Sequence, residues 1–532
     1  MRKIIPLSLA AFMMIAAAPS HAAITATDEG AAKIKQQVEK ALEFPMQLAI
    51  SDGAGLKLSG NVEVTPMDGY YKVTMPGATF SAGIGFDFNL GTITANVQPN
   101  DDGSLLVKLS VPSTITASEG NGTPVAELKI GDQEFAGTWW PELAAFTQLK
   151  SEYKNITLKS IDSDDFSGAA ETMTAYVNLK KNDDGTWSGP YGYGGKNVTL
   201  DFALGVAIKS RIDSFAADSS YDKINLVARK ALQDKMSEAL EKTPQNGQPT
   251  PDQANQMVQS MITNLTGYLD GMGSKMKATG VKVDIKSDPA TAAPGETLDA
   301  LSFTIASTSS QFDVTGMLKE KGDGKLHINM SGINILSDDP ELKSILPSDL
   351  NFEFYMNDLP MQQLGKSLSG AIGSFMNVFS GMTGMPDQGK QIEVQQQAMM
   401  QMLSLASTLP QQLSAAGSKL SIKNTYTKSP DLDSSLSGEI KANPTSPIIA
   451  EGSITLSLKG IDELILKLQS MAQKPDASPE LARYASTLSM LQIYGQPAAA
   501  QDGKSIRMLK LDLSKEGQIL LNGQPVMGGQ VP

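Results

Sequence analysis

Gly60-Asn61-Val62-Glu63-Val64-Thr65-Pro66-Met67-Asp68-Gly69-Tyr70-Tyr71-Lys72-Val73-Thr74-Met75-Pro76 decides how the chain is read. Val62 and Val64, then Tyr71, Val73 and Met75, alternate with polar residues, as half-buried antiparallel strands do. Pro66-Met67-Asp68-Gly69 separates the two runs, and Gly supplies the positive φ that a tight reversal requires. The stretch predicts a hairpin.

The device recurs. Pro99-Asn100-Asp101-Asp102-Gly103 lies between Ile93/Val97 and Leu105/Val107/Leu109, and Asn182-Asp183-Asp184-Gly185 between Val177/Leu179 and Trp187. Gly322-Asp323-Gly324 between Val314/Met317 and Leu326/Ile328/Met330, and Lys515-Glu516-Gly517 between Leu513 and Ile519, read the same way. Successive hairpins make a meander. A second pattern runs a strand into a helix: Asn351 to Pro360 and Ser453 to Asp462 each end in an amphipathic stretch with Asp near its start. Leu200, Phe202, Leu204, Val206 and Ile208, followed by Ile212 and Phe215, read as a degenerate copy.

Helical spacing opens the chain at Ile34, Val38, Ala41 and Leu42, with Thr27 as N-cap. It returns in pairs at 220–242 with 252–276 and at 361–382 with 388–414, and in a last stretch at 461–493. Met257, Met261, Leu265 and Met272 form one stripe, and Met376, Phe379, Met399 and Met402 lie in the second pair. Unbranched thioethers build adaptable apolar grooves for lipid or partner helices, and they also fill gaps between helices and a sheet. These eight residues are the candidate lining of an apolar ligand site. The expected fold class is α+β, with long antiparallel meanders and inserted Met-rich helical hairpins in two or three lobes. The expected segments are a leader at 1–22, lobes at 23–278 and 279–416, and a closing β/α/β segment at 417–532.

Composition narrows the chemistry. The 532 residues contain Cys 0 and His 2, and His21 lies in the leader. Disulfides, Cys-ligated zinc, iron–sulfur clusters, Cys nucleophiles and two-histidine sites are thereby excluded from the chain without its leader. Net charge is −13, and removal of Arg2 and Lys3 with the leader takes it to −15. Nucleic acid is a poor partner for such a charge.

Arg2 and Lys3, the apolar run Ile4 to Ala18 and the small-x-small Ser20-His21-Ala22 form a secretory signal, with cleavage expected after Ala22. The apolar run is about 15 residues, short of the roughly 20 that span a bilayer. A periplasmic, or secreted, chain without a transmembrane span is expected.

Other motifs fall short of a chemistry. Asp162, Asp164, Asp165 and Glu171 offer Phe166 and Ser167 where a calcium loop needs a ligand and Gly. Adjacent Trp139 and Trp140 point to opposite faces of a strand, so at least one belongs to the core, and core packing is favoured over a sugar-stacking platform or a membrane-interface anchor. Tyr191-Gly192-Tyr193-Gly194-Gly195-Lys196 lacks phosphate-loop spacing and reads as a loose loop. His327 alternates with Leu326 and Ile328 and reads as a lone surface histidine, with no G-x-S-x-G to accompany it.

The Gly60 to Pro76 string, the Trp140-Pro141-Glu142-Leu143 box, the Ser453 to Leu464 unit and the closing Leu511 to Pro525 string resemble uncharacterised families of exported Gram-negative proteins. The last string is also similar to the C-terminal ends of YdgA-like proteins. The Ser453 unit resembles, more distantly, those of AsmA-like envelope proteins, which implies phospholipid handling. These motifs are turns and strands, so no functional residue carries over, and AsmA-like proteins have an anchor where this chain has a cleavable signal. The expectation is a non-enzymatic protein with no cofactor that binds a lipid or acyl chain or supports the envelope. The alternative is an interaction protein that docks an envelope protein partner through its helical pairs.

Overall fold

Strand pairing builds this protein. The computed structural model describes residues 26–47, 54–82, 86–119, 122–161, 163, 166–203, 206–241, 267–287, 301–336, 346–365, 408–474 and 479–526. Strands take up 62% of the described residues and helices 19%, and the pairings are antiparallel, so the expected α+β class is corrected to a mostly β one. Two observations account for the difference. The helix expected at 252–276 ends in a strand, because Leu269, Met272 and Met276 lie in β16 (Leu269–Ser287). Most of the other Met-rich stretches, 242–266 and 366–407, lie outside the described residues. The chain divides into two units, residues 1–272 with 283–300 and residues 273–282 with 301–532.

In the first unit, α1 (Asp28–Gln47) starts as its sequence predicts: the Gly30 N–H donates to Thr27 Oγ1 at 3.1 Å. Its apolar stripe buries Ala31 and Ile34 and half-buries Val38 and Leu42 in the main core. That core lies among two five-stranded branches. One runs β1 (Ala54–Ser59), β4 (Gly77–Ala82), β5 (Phe86–Gly91), β8 (Thr114–Glu119), β9 (Pro124–Lys129). The other runs β2 (Glu63–Met67), β3 (Tyr70–Thr74), β6 (Thr94–Pro99), β7 (Leu105–Ser110), β10 (Asp132–Trp140). The chain alternates between the branches, and β11 (Ala145–Ser160) joins them: Ala145 to Lys154 pair with β10, and Thr157 to Ser160 with β9. Val62, Tyr71, Val73 and Val97 from one branch and Ile115, Leu128 and Ile130 from the other side share one buried cluster.

On its far edge β11 pairs with β12 (Phe166–Asn178), which continues into β14 (Trp187–Ala203) and β15 (Val206–Ile224), with the two-residue β13 (Lys180–Lys181) also on β14. A crease crosses these long strands at Asn155, Glu171, Asn197 and Asp213, where the ladder of paired residues is interrupted without a change of register. Asn155 and Asn197 take φ of 53° and 47°, a region that Asn tolerates better than most residues. Side chains on the core face are then three residues apart across the crease: Tyr153 and Ile156 both pack on the main core. Ile212 and Phe215 owe their helix-like spacing to this interruption. They lie in β15, so the expected strand-to-helix copy at 200–215 is a hairpin, and the junction comes later, from Ile224 through Asn225 into α2 (Leu226–Glu241). The glycine-tyrosine segment is likewise strand β14, and its glycines leave room for neighbours. A Cβ on Gly195 would stand 2.6 Å from the Phe215 ring and 2.7 Å from Met173 Sδ.

The second unit contains the meander β17 (Leu301–Thr315), β18 (Gly322–Leu336), β19 (Asp349–Leu359), β20 (Lys419–Lys428), β21 (Asp433–Ala442), β22 (Ala450–Lys459). The reversal expected at Gly322 to Gly324 lies earlier, where Lys319 N–H donates to Gly316 O at 3.0 Å; Gly322 already belongs to β18. β22 passes through Gly460, at φ 88°, into α3 (Ile461–Ala472), as the sequence predicts. The last helical stretch is two helices, α3 and α4 (Pro479–Tyr494), packed on each other through Leu464, Leu468, Met471 and Ala485. β23 (Gln496–Gln501), β24 (Lys504–Leu513), β25 (Ile519–Leu521) and β26 (Gln524–Pro525) close the unit, with β24 pairing to β22. The turn at Lys515 to Gly517 is found where the sequence places it, closed by Ser514 N–H to Gln518 O at 2.9 Å.

Candidate functional site

Of the eight predicted lining residues, Met257, Met261, Leu265, Met376, Phe379, Met399 and Met402 lie outside the described residues. Met272 is half-buried in strand β16 and not on a helix. Periodicity misplaced it because Met272 and Met276 are four apart, a spacing that shares a face on a strand as well as on a helix. Among the described residues, two other surfaces gather chemistry, one in each unit.

In the second unit the meander sorts its side chains by face. Phe312, Leu326, Phe354, Ile422, Gly438, Ile454 and Leu511 follow one another across seven paired strands. The neighbouring row on the other face is Asp313, Lys325, Tyr355, Ser421, Glu439, Ser453 and Asp512. A single-residue slip would exchange apolar for polar, so the register is strongly specified. Toward β22 and β24 the helices cover the apolar face, with Leu458, Ile461, Ile465 and Leu509 buried together. At the opposite end Phe312, Leu326, Phe352 and Met356 stay 36–42% exposed on three consecutive strands. Sequence alternation marked these residues as apolar; which of them helices would cover was not legible.

On the polar face His327 is not the lone surface residue expected. It is half-buried, with Nε2 2.8 Å from Asn351 Oδ1, which also accepts from Asn329 Nδ2 at 3.1 Å. Asn351 is buried and donates its own amide to Asn424 O. Beside it the Tyr355 hydroxyl and the Asn424 amide donate to Glu353, which holds that carboxyl below its usual range. Lys423 and Lys325 lie 4.7 and 5.4 Å from the Tyr355 ring centroid. Among the described residues no group of three or more His, Asp or Glu is placed to hold a metal, and no helix is long and apolar enough to cross a membrane.

In the first unit the two tryptophans divide as strand geometry requires. Trp139 packs on the main core, 4.5 Å from the Phe146 ring centroid, and Trp140 lines a cleft of about 620 Å³. Thr138 and Gln148, paired across β10 and β11, lie beside it, as do Asp101 and the lysines of β13. The Trp140 indole donates from Nε1 to Thr147 Oγ1 at 3.1 Å and meets Trp187 edge-on at 5.9 Å. Two turns of one design flank the cleft, Asn100 to Ser104 and Asn182 to Thr186. In each the Asn amide donates to the closing hydroxyl at 2.9 Å, and that hydroxyl and its N–H donate to Asp102 or Asp184. The turn signal was legible as N-D-D-G in both, whereas the cleft required strands far apart in sequence to meet. No family model, curated protein or solved structure matches the chain.

Proposed function

We propose that the protein is a non-enzymatic binder of an apolar ligand, an acyl chain, on the uncovered end of the second unit's apolar sheet face. The observation that carries the reading is the contiguity of Phe312, Leu326, Phe352 and Met356, each more than a third exposed on paired strands. Side chains of this size gain about 1.5–3 kcal/mol each from full burial, so a clustered set left open favours an apolar occupant. The export-type leader at residues 1–22 and the AsmA-like character of the Ser453 unit support a periplasmic setting and a lipid cargo.

The test is titration of the purified mature chain with a fluorescent fatty acid, cis-parinaric acid. Saturable binding that Leu326→Asp and Phe352→Asp each weaken at least tenfold supports the reading; binding indifferent to both, or no saturation, ends it. One observation favours the second reading, docking of an envelope protein. Tyr484, Met490, Ile493 and Tyr494 on α4 are 56–77% exposed. Ile493→Asp leaves fatty-acid binding intact under the first reading, and under the second abolishes capture of a protein partner.

A further inference from the structure

The geometry points to a second site, independent of the acyl-chain reading: we propose that the cleft at Trp140 binds a saccharide. Trp140 is presented for contact. Its one polar atom is already bonded to Thr147 and its ring is held at 65° to that of Trp187, so what it offers a ligand is the apolar surface of an oriented indole. Around it stand an acceptor, the Asp101 carboxylate, two donors, the Lys180 and Lys181 ammoniums, and two groups that do both, the Thr138 hydroxyl and the Gln148 amide. Among the described residues neither Asp101 nor either lysine is in an ion pair, so their hydrogen-bonding capacity is unspent.

That combination selects a ligand class. A sugar ring carries an apolar C–H face for the indole and hydroxyls that donate to a carboxylate and accept from ammonium and amide groups. An acyl chain would offer nothing to the hydrogen-bonding groups of Asp101, Thr138, Gln148 and the lysines. A simple anion has no use for the indole and meets the nearby Asp101 and Asp102. The volume, about 620 Å³, lies within the roughly 300–1,000 Å³ of small-molecule sites. The walls are held before any ligand arrives. Both flanking turns are closed by the same set of side-chain bonds, and Arg229 of α2 donates to Leu143 O at 3.1 Å and Ala144 O at 2.7 Å, fixing the corner just after Trp140. Rigid walls of this kind lower the ordering cost of binding.

The test is isothermal titration calorimetry of the full mature chain with four probes: the N-acetylglucosamine trisaccharide, maltotriose, cellotriose and trigalacturonate. Saturable binding of at least one is expected, weakened at least tenfold by Trp140→Ala and several-fold by Lys181→Gln and Asp101→Asn, while Leu326→Asp leaves it unchanged. The two turn-region variants lie at exposed positions and keep the test decisive if Trp140→Ala fails to fold. No saturation by any of the four, or binding indifferent to Lys181→Gln and Asp101→Asn, overturns the proposal. Loss of fatty-acid binding with sugar binding retained would strike the acyl-chain reading alone.

Discussion

Arg507 on β24 grips Asp462 in the first turn of α3, with Nε 3.1 and 3.2 Å from the two carboxylate oxygens and Nη2 2.9 Å from one of them. The pair clamps the helix over the sheet end that it covers, and both side chains are three-quarters shielded from solvent. The guanidinium holds the Asp462 carboxyl below its usual range. A depressed carboxyl contributes stability above its unfolded pKa and loses it as pH falls through the folded one. Arg507→Ala should therefore cost about 1.5–3 kcal/mol near neutrality, and less as the pH drops below about 4. Urea unfolding followed by far-UV circular dichroism at pH 7 and pH 3 measures both; an equal loss at the two values contradicts the pairing.

Gly30 illustrates a helix glycine that should not be replaced. Alanine favours a helix interior by about 1 kcal/mol, yet a Cβ here would stand 2.0 Å from the buried Tyr71 hydroxyl, which accepts from Thr27 N–H at 3.0 Å. Gly30→Ala should destabilise the first unit, and the penalty should shrink in a Tyr71→Phe background. All three tryptophans lie in that unit, so their fluorescence during urea unfolding reports the double-mutant cycle.

The twin turns make a matched pair of predictions. Gly103 and Gly185 sit at φ 87° and 83° with open space where a Cβ would go, so alanine meets only backbone strain. Each substitution should cost about 1–2 kcal/mol, and the two costs should agree within error. A large inequality in the thermal midpoints would show that the turns are not equivalent. Asp184 carries a further signature. The Thr186 hydroxyl, Lys223 and the Thr186 N–H bring its carboxyl down to about 2, so its contribution is full above pH 4 and fades toward pH 2. Asp184→Asn should flatten that acid limb.

Asn351 is the hub of the polar face. Asn351→Ala would leave Asn329, His327 and the Asn424 carbonyl without their partner, a loss of about 1–3 kcal/mol by the cost of unsatisfied buried groups. Asn351→Ser at the same site, if no milder than alanine, would argue that hydrogen bonding is not what the residue provides. Differential scanning calorimetry on both variants decides it.

How far these features were legible differs from residue to residue. Thr27 and Ile34 announced α1 because a cap and an apolar stripe are local. The hairpins at Gly69, Gly103 and Gly185 were legible for the same reason, since each turn is decided by the φ of one glycine. Ile212 and Phe215 misled because an interruption of the ladder at Asn197 and Asp213 stretches strand spacing from two to three, which imitates a helix. Met272 misled because a four-residue spacing fits both periods. At the Trp140 cleft the tryptophan pair and the two turns were legible one by one but their meeting was not, since Asp101, Trp140 and Lys181 come together only through pairings that link β7, β10, β11 and β12.

The alternation of the chain between the two branches of the first unit has a bearing on how the protein is made. β1 waits for β4 and β5 waits for β8, while β3 waits for β6 and β7 waits for β10. The two branches receive their last strands in succession, β9 and then β10, and β11 pairs with both once the chain has reached Ser160. Such non-local assembly is slow compared with helix formation. A nascent polypeptide of this design can close local hairpins such as β2–β3 and β8–β9 early, but its full set of pairings waits until the whole of this stretch is present.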